Sequence, residues 1–228
     1  VSPRPDATGM LRRIGKYEVT GQIGQGGFGK VYKAFDPTVG RVVAIKVITT
    51  EGDETSVTRF RNEAAAAGNL HHKNVVTIYE FGEHEGVQFL AMEFLDGQDL
   101  QQAVAAGRTF TLAEKIDIMY QVADGLLCAH RAGVVHRDIK PANVMLTANG
   151  GVKLMDFGIA RRAGNVATRL TQTGFLIGTI LYMAPEQLRG SPTDELSDIW
   201  AYGVMFYELL AGRNPFEAPE PAAVMFKI

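Results

Sequence analysis

A chain of 228 residues is long enough for one large hydrophobic core or two smaller lobes. Apolar residues make up 46% and charged residues 21%, an ordinary globular balance, and the formal net charge of -2 offers no basic excess for nucleic acid as a main partner. The lone Cys128 excludes an internal disulfide framework and fits a reducing compartment; among Leu126, Leu127 and Ala129 it reads as a small core hydrophobe rather than a reactive thiol. No apolar run approaches the ~20 residues needed to cross a bilayer, and no signal peptide is visible, so a cytoplasmic location is expected. The chain starts with Val1 and stops in a periodic segment, Ala222 to Ile228, which predicts a longer parent protein; a membrane-anchored parent is compatible with this.

In chain order, residues 1–9 hold Pro3, Pro5, Ser2 and Gly9 with little to bury, and the stretch 1–16 reads as a linker. From Tyr17 the chain becomes strand-like: Val19, Ile23, Val31 and Tyr32 flank a glycine cluster, and Val42 to Ile48 is a β-branched run. Thr58 to Leu70 is helical in composition, and Val75–Phe81 and Val87–Phe94 read as two strands joined by a glycine-containing turn. After Gly97 the character changes. Thr111 and Glu114 form a capping box ahead of a helix over Leu112–Arg131, with Ile116, Met119, Val122, Ala123, Leu126 and Leu127 expected on one buried face and Gly133 beyond its end. Short strands are expected at Val144–Leu146 and Val152–Leu154, a Thr- and Gly-rich loop over Arg161–Thr179, and a helix over Ser197–Ala211, apolar nearly all round and therefore buried. These elements suggest a β-rich first lobe (17–95) and a helical second lobe (96–228) with a cleft between them.

Four segments carry chemistry. Gly24-Gln25-Gly26-Gly27-Phe28-Gly29 lies between two strands, where glycine lets backbone N–H groups approach phosphate oxygens; by itself it is equally a structural hairpin. It lacks the Gly-Lys-Ser/Thr ending of a GTPase phosphate loop, and the strand that follows it is not the helix of a dinucleotide fold. Lys46, at the end of Val43-Ala44-Ile45-Lys46, sits in an apolar strand and needs an anion, either a phosphate or Glu63 on the next helix, unless it snorkels out of an edge strand. His136-Arg137-Asp138-Ile139-Lys140-Pro141-Ala142-Asn143 packs a base, cations and a carboxamide into a segment that Lys140-Pro141 marks as loop. Asp156-Phe157-Gly158 adds a second carboxylate at a strand end, and Asp156 with Asn143 offers hard oxygen donors suited to Mg²⁺ held jointly with phosphates. His71-His72 has no matching ligand set nearby and reads as a turn.

The ordered set of glycine loop, Val-Ala-Ile-Lys, helix glutamate, His-Arg-Asp, Asp-Phe-Gly and Ala184-Pro185-Glu186 resembles the protein kinase signature from Tyr17 to the end of the chain. Gly15-Lys16-Tyr17-Glu18 and Phe94-Leu95-Asp96-Gly97 look most like the bacterial eukaryotic-like Ser/Thr kinases. The resemblance implies an α+β, bilobal fold, with a β-rich N-lobe bearing one main helix and a mainly helical C-lobe that lacks its final helices, and hence some exposed apolar surface. It implies ATP and Mg²⁺ (or Mn²⁺), protein substrates, and a second copy of the chain as partner for autophosphorylation in trans, with a homodimer compatible.

Carried over by position, Lys46 holds the α- and β-phosphates and is placed by Glu63; Asp138 accepts the hydroxyl proton or orients the attacking oxygen; Lys140 neutralises the moving phosphoryl group; Asn143 and Asp156 bind the metal. Ile23, Gly24, Gly26, Gly29, Val31, Ala44 and Met145 enclose the nucleotide, Met92 backs the pocket, and the Glu93 carbonyl and Leu95 backbone read the adenine edge. Lys140, and Thr179 in the docking segment near Asp138, imply serine and threonine as acceptors. Candidate phosphate acceptors are Thr168, Thr171 and Thr173; Arg137 is expected to receive phosphate on Thr171 and Thr173, while Thr179 faces the substrate. Asp198 is expected to hold the His136–Arg137 backbone, and the resemblance implies that His136 and Phe157 pack in the internal spine that family members share. In the family Glu186 pairs with an arginine near the domain's C-terminal end; no such residue follows here, so Glu186 is expected to lack its partner unless another residue substitutes. A catalytically dead relative would have lost Lys46, Asp138 or Asp156, all of which are present, and small-molecule kinases usually lack the Ala-Pro-Glu segment.

Overall fold

The computed structural model describes residues 12–26, 29–48, 65–157 and 177–228. The chain divides into two compact units, one of Val1–His71 with Val76–Leu95 and one of His72–Val75 with Asp96–Ile228.

The first unit is an antiparallel sheet of six strands: β1 (Arg13–Ile14), β2 (Tyr17–Gly26), β3 (Gly29–Asp36), β4 (Arg41–Ile48), β5 (Ile78–His84) and β6 (Val87–Glu93), in the order β1-β2-β3-β4-β6-β5. Alternation along the strands sends Tyr32, Ala34, Val43, Ile45, Phe89 and Ala91 to one face, where they pack with Ile14 and Tyr17. Ile14 is only 3% exposed, so the presumed linker ends earlier than residue 16: an apolar side chain that can join this cluster draws Arg13–Ile14 into pairing with β2. The β5–β6 turn places Glu85 (φ 50) and Gly86 (φ 76) in left-handed conformations, as a two-residue hairpin turn requires. The expected strand from Val75 begins only at Ile78; Val75 bridges instead to Leu154 of the second unit. Residues 65–68 are helical, and the rest of the expected helix up to residue 64 lies outside the described residues, as does the linker 1–9.

The second unit contains a three-stranded sheet, β7 (Gly97–Asp99), β8 (Val144–Thr147) and β9 (Val152–Leu154), with α1 (Leu100–Ala105), α2 (Leu112–Arg131), α3 (Ile177–Ile180), α4 (Pro185–Leu188), α5 (Glu195–Ala211) and α6 (Pro221–Lys227). Helix α2 opens with the predicted box: Thr111 Oγ1 accepts from the Glu114 N–H, and the Glu114 carboxylate accepts from the Thr111 N–H. Its buried stripe is Ile118, Met119, Val122, Gly125, Leu126 and Ala129, so the expected face is rotated, and Ile116 and Leu127 are exposed. The rotation follows from Gly125, where a Cβ would stand 2.8 Å from the Asn74 carbonyl oxygen; the glycine admits the His72–Val75 segment against the helix. Asn74 then donates from Nδ2 to the Val152 carbonyl (2.8 Å) and to Gln121 Oε1 (3.0 Å).

Helix α5 starts at an Asp194 cap and ends at Gly212, whose φ of 72 suits a glycine stop. It is not buried all round. Ser197, Asp198, Ala201, Val204, Met205 and Leu209 face inward, whereas Leu196 (66%) and Ile199 (52%) are exposed, because one helix presents a single stripe to the neighbours it has. The expected loop up to Thr179 gives way to α3 at Ile177, and Pro141–Asn143 forms one 3₁₀ turn inside the expected loop, started by a proline whose missing N–H costs nothing at a first position. Among the described residues no helix is long and apolar enough to cross a membrane.

Candidate active site

In the first unit, period-2 alternation puts Lys46, Ala44, Val31 and Met92 on the sheet face opposite the apolar cluster: Val31 pairs with Lys46, and Ala44 with Met92. Lys46 is half-buried; Ala44 and Met92 are each 7% exposed, and Ile23 is 50% exposed. Gly24 lies opposite Val31, and Gly26 opposite Gly29, whose φ of 133 is a glycine conformation. Glu93 hydrogen-bonds through its N–H to the Thr77 carbonyl (2.9 Å), and Leu95 is half-buried just beyond β6. Glu63, Gly27, Phe28, Gly158, Thr168, Thr171 and Thr173 lie outside the described residues.

The second unit brings the other charged residues together. Asp138 is 8% exposed and stands in a closed ring of hydrogen bonds. Its N–H donates to His136 Nδ1 (3.3 Å); His136 Nε2 bonds the Met155 carbonyl (2.9 Å). The Met155 N–H donates to the Asn143 carbonyl (2.9 Å), and Asn143 Nδ2 returns to the Asp138 carbonyl (2.7 Å). The ring needs a neutral imidazole, with Nε2–H as donor and Nδ1 as acceptor, and complete burial pushes the His136 pKa below its ordinary value despite the carboxylates of Asp198 and Asp138. His136 also packs against Phe157, with ring centroids 4.5 Å apart and the planes tilted by 39°.

The ring ties the Asp138 loop to the residue before Asp156. Asp156 itself adopts φ 52, an uncommon conformation for a non-glycine residue, at the end of the strand that the ring holds. With Nδ2 bonded to the Asp138 carbonyl, Asn143 keeps Oδ1 as its remaining acceptor, so a carboxamide oxygen and a carboxylate sit on segments joined by one backbone hydrogen bond. One carboxylate plus one neutral oxygen is the donor set that suits Mg²⁺ completed by phosphates and water; among the described residues no cluster of three His, Cys, Asp or Glu offers a self-sufficient cage.

Outside the ring, Lys140 Nζ lies 3.1 Å from Asp138 Oδ2 and donates to Thr179 Oγ1 at 3.1 Å. Asp198, 1% exposed, accepts from the N–H groups of His136 and Arg137, both at 2.7 Å, which is the scaffold role expected for it. Sequence reasoning missed that His130 Nε2 also meets Asp198 Oδ2 at 2.8 Å; its only signal was a histidine in the last turn of α2. Glu186 is not left without a partner, since Ser197 Oγ donates to it from the first turn of α5. Met145 is half-buried on β8, between the buried Val144 and Leu146.

This fold and this arrangement are those of a protein kinase: the chain belongs to the protein kinase domain family, which matches residues 17–227. It is 41% identical over 218 residues to the probable serine/threonine-protein kinase PknB of Corynebacterium glutamicum, covering 93% of this chain and 34% of that protein. It is 42% identical over 212 residues to the serine/threonine-protein kinase pkn3 of Myxococcus xanthus (89% of this chain, 39% of the relative). To the serine/threonine-protein kinase PrkC of Bacillus subtilis it is 37% identical over 218 residues (95% and 33%). The chain spans about a third of the length of the first curated relatives it matches.

Proposed function

We propose that this chain transfers the γ-phosphoryl group of ATP to serine and threonine hydroxyls of proteins in bacterial signalling. The observation that carries the reading is the Asp138–Lys140–Thr179 arrangement, a fixed carboxylate with an ammonium 3.1 Å away that also bonds a threonine hydroxyl. Asp138 accepts the proton of the substrate hydroxyl as its oxygen bonds to phosphorus and the bond to the ADP oxygen breaks, and Lys140 offsets charge on the moving group. Lys46, placed by Glu63, orients the phosphates, and Ile23, Gly24, Gly26, Gly29, Val31, Ala44, Met92, Glu93, Leu95 and Met145 bind the nucleotide. Asn143 and Asp156 would hold Mg²⁺ (or Mn²⁺), which when bound neutralises phosphate charge. Residues 17–95 act as the N-lobe and 96–228 as the C-lobe of a domain working in the cytoplasm, where ATP is supplied.

Full-length protein given radiolabelled ATP should label a generic protein substrate on serine and threonine in a metal-dependent way. Label appearing only on phosphotyrosine, or only on an aminoglycoside, would overturn the assignment. We further propose that the protein phosphorylates itself in trans on Thr171 and Thr173, the added charge meeting Arg137 and raising activity. Mass spectrometry after incubation with ATP should find phosphate on this segment; a doubly substituted Thr171→Ala/Thr173→Ala enzyme as active as a parent that carries no loop phosphate would refute the regulatory step.

A further inference from the structure

Arg137 holds a φ of 63, a conformation that residues with a side chain avoid and that persists only where the surroundings over-determine it. Part of that determination comes from Asp198, which takes the Arg137 N–H, and from Thr193, whose Oγ1 lies 3.2 Å from Arg137 Nε. The remaining backbone group, the Arg137 carbonyl, accepts from Gln187 Nε2 at 3.1 Å. That carbonyl and the Asp138 N–H are the two ends of one planar peptide. With the N–H on His136 Nδ1 and the carbonyl on Gln187, the plane is tied at both ends; without Gln187 only the 3.3 Å bond to His136 restrains its rotation about the long axis, and the φ of Asp138 turns with that rotation.

The orientation of the Gln187 amide is itself set. Its Oε1 accepts from the Ala184 N–H at 2.9 Å, so the NH₂ end is the one that faces Arg137. Gln187 thus joins the start of α4, in the Ala184-Pro185-Glu186 segment, to the peptide that carries the catalytic aspartate, 50 residues earlier in the chain. We infer that Gln187 is a positioning residue for phosphoryl transfer, aiming the Asp138 carboxylate by fixing the Arg137–Asp138 peptide plane. The inference rests on the assignment of Asp138 as the acceptor of the hydroxyl proton.

Gln187→Glu in the full-length protein tests it. The substitution keeps the length and the oxygen that serves the Ala184 N–H but sets a carboxylate oxygen against the Arg137 carbonyl. The expected result is a kcat lowered about tenfold to thirtyfold with KM for ATP within about twofold of the parent, since alignment of the reacting groups is lost while nucleotide contacts stay. The ratio of variant to parent kcat should rise on acidification, as the glutamate regains an O–H donor; a merely structural role would leave that ratio flat. Should the variant also melt at lower temperature, Gln187→Met, which fills the space with no donor, must show the same loss in kcat with KM preserved. An active parent accompanied by undiminished kcat in either variant overturns the inference alone. A parent with no transfer overturns the kinase reading and this inference together.

Discussion

The sheet of the first unit and the Asp138 loop of the second are both well packed but are held by different forces. In the sheet, Tyr32, Val43, Ile45 and Phe89 form an apolar layer whose stabilisation grows with the area removed from water and is tolerant of direction. Polar groups are buried there too, at Asp36 and Gln88, while the partly exposed Glu80 receives the Tyr17 hydroxyl (2.7 Å) and the Lys16 ammonium (2.8 Å). The Asp138 loop reverses the proportion. His136, Asp138, Asn143 and Asp198 are all buried, and the His136 N–H, the Asp138 N–H and the Asp138 carbonyl each meet a side-chain hydrogen-bond partner. Area holds a surface together, whereas directional bonds hold an atom in place, and a phosphoryl-transfer site depends on the second. Substitutions in the apolar layer should therefore lower stability with turnover per folded molecule preserved, and substitutions of the loop's reacting groups should lower turnover with stability preserved.

The largest expected effect is on turnover. Asp138→Asn changes almost no volume but removes the proposed proton acceptor, and kcat should fall by about 10³-fold while the melting temperature stays near that of the parent. Matched activity in a phosphate-transfer assay would break the comparison at its functional end. The converse test is Phe89→Ala. Phe89 is 2% exposed and packs edge-on against Tyr17, so its truncation should cost about 3–5 kcal/mol in denaturant unfolding, with kcat per folded molecule close to the parent value. A stable Phe89→Ala protein would show that the apolar layer is not what holds the sheet.

Asp198→Asn falls between the two extremes. Asp198 carries two backbone amides and His130 on one carboxylate; the carboxamide can accept at only one end, so about 2–3 kcal/mol of stability should disappear together with much of the turnover. Loss of stability with kcat intact would mean that the loop keeps its geometry without this scaffold.

The smallest effect is one of pH. Burial by itself raises the Glu80 pKa, but the hydrogen bonds from Lys16 and Tyr17 outweigh it and hold the carboxyl below its ordinary value. A depressed folded-state pKa contributes stability above the unfolded value of 4.5 and loses it as pH falls further, because the unfolded chain takes up the proton first. The acid limb of thermal stability below about pH 4.5 should thus be shallower in Glu80→Gln than in the parent; coincident acid limbs would remove Glu80 from the account.

Much of the fold was legible because its signals are local. The Thr111–Glu114 box, the start of α2 at Leu112, the strand Val152–Leu154 and the end of α5 at Ala211 each depend on residues within a few positions, and short-range chemistry reads them directly. The ordered motifs likewise named the chemical groups that the proposed function uses: an ammonium in an apolar strand, carboxylates at Asp138 and Asp156, a carboxamide at Asn143. Helix faces were less legible. Periodicity sets the spacing of apolar residues but leaves their phase to the packing partner, and on α2 that partner is the Asn74 backbone against Gly125, which exposed Ile116 and Leu127. On α5, apolar composition all round gave no phase at all, and Leu196 and Ile199 proved exposed.

By itself, then, the amino-acid sequence determined the element types, the reactive groups and their order. Tertiary structure alone decided which of those groups touch. His136 closing a ring through Met155, Ser197 meeting Glu186, and Gln187 reaching the Arg137 carbonyl join segments up to 50 residues apart. A polar side chain carries no mark of a distant partner, because a hydrogen bond depends on where its donor and acceptor arrive in space, and that is set only when α4, α5 and the Asp138 loop have packed.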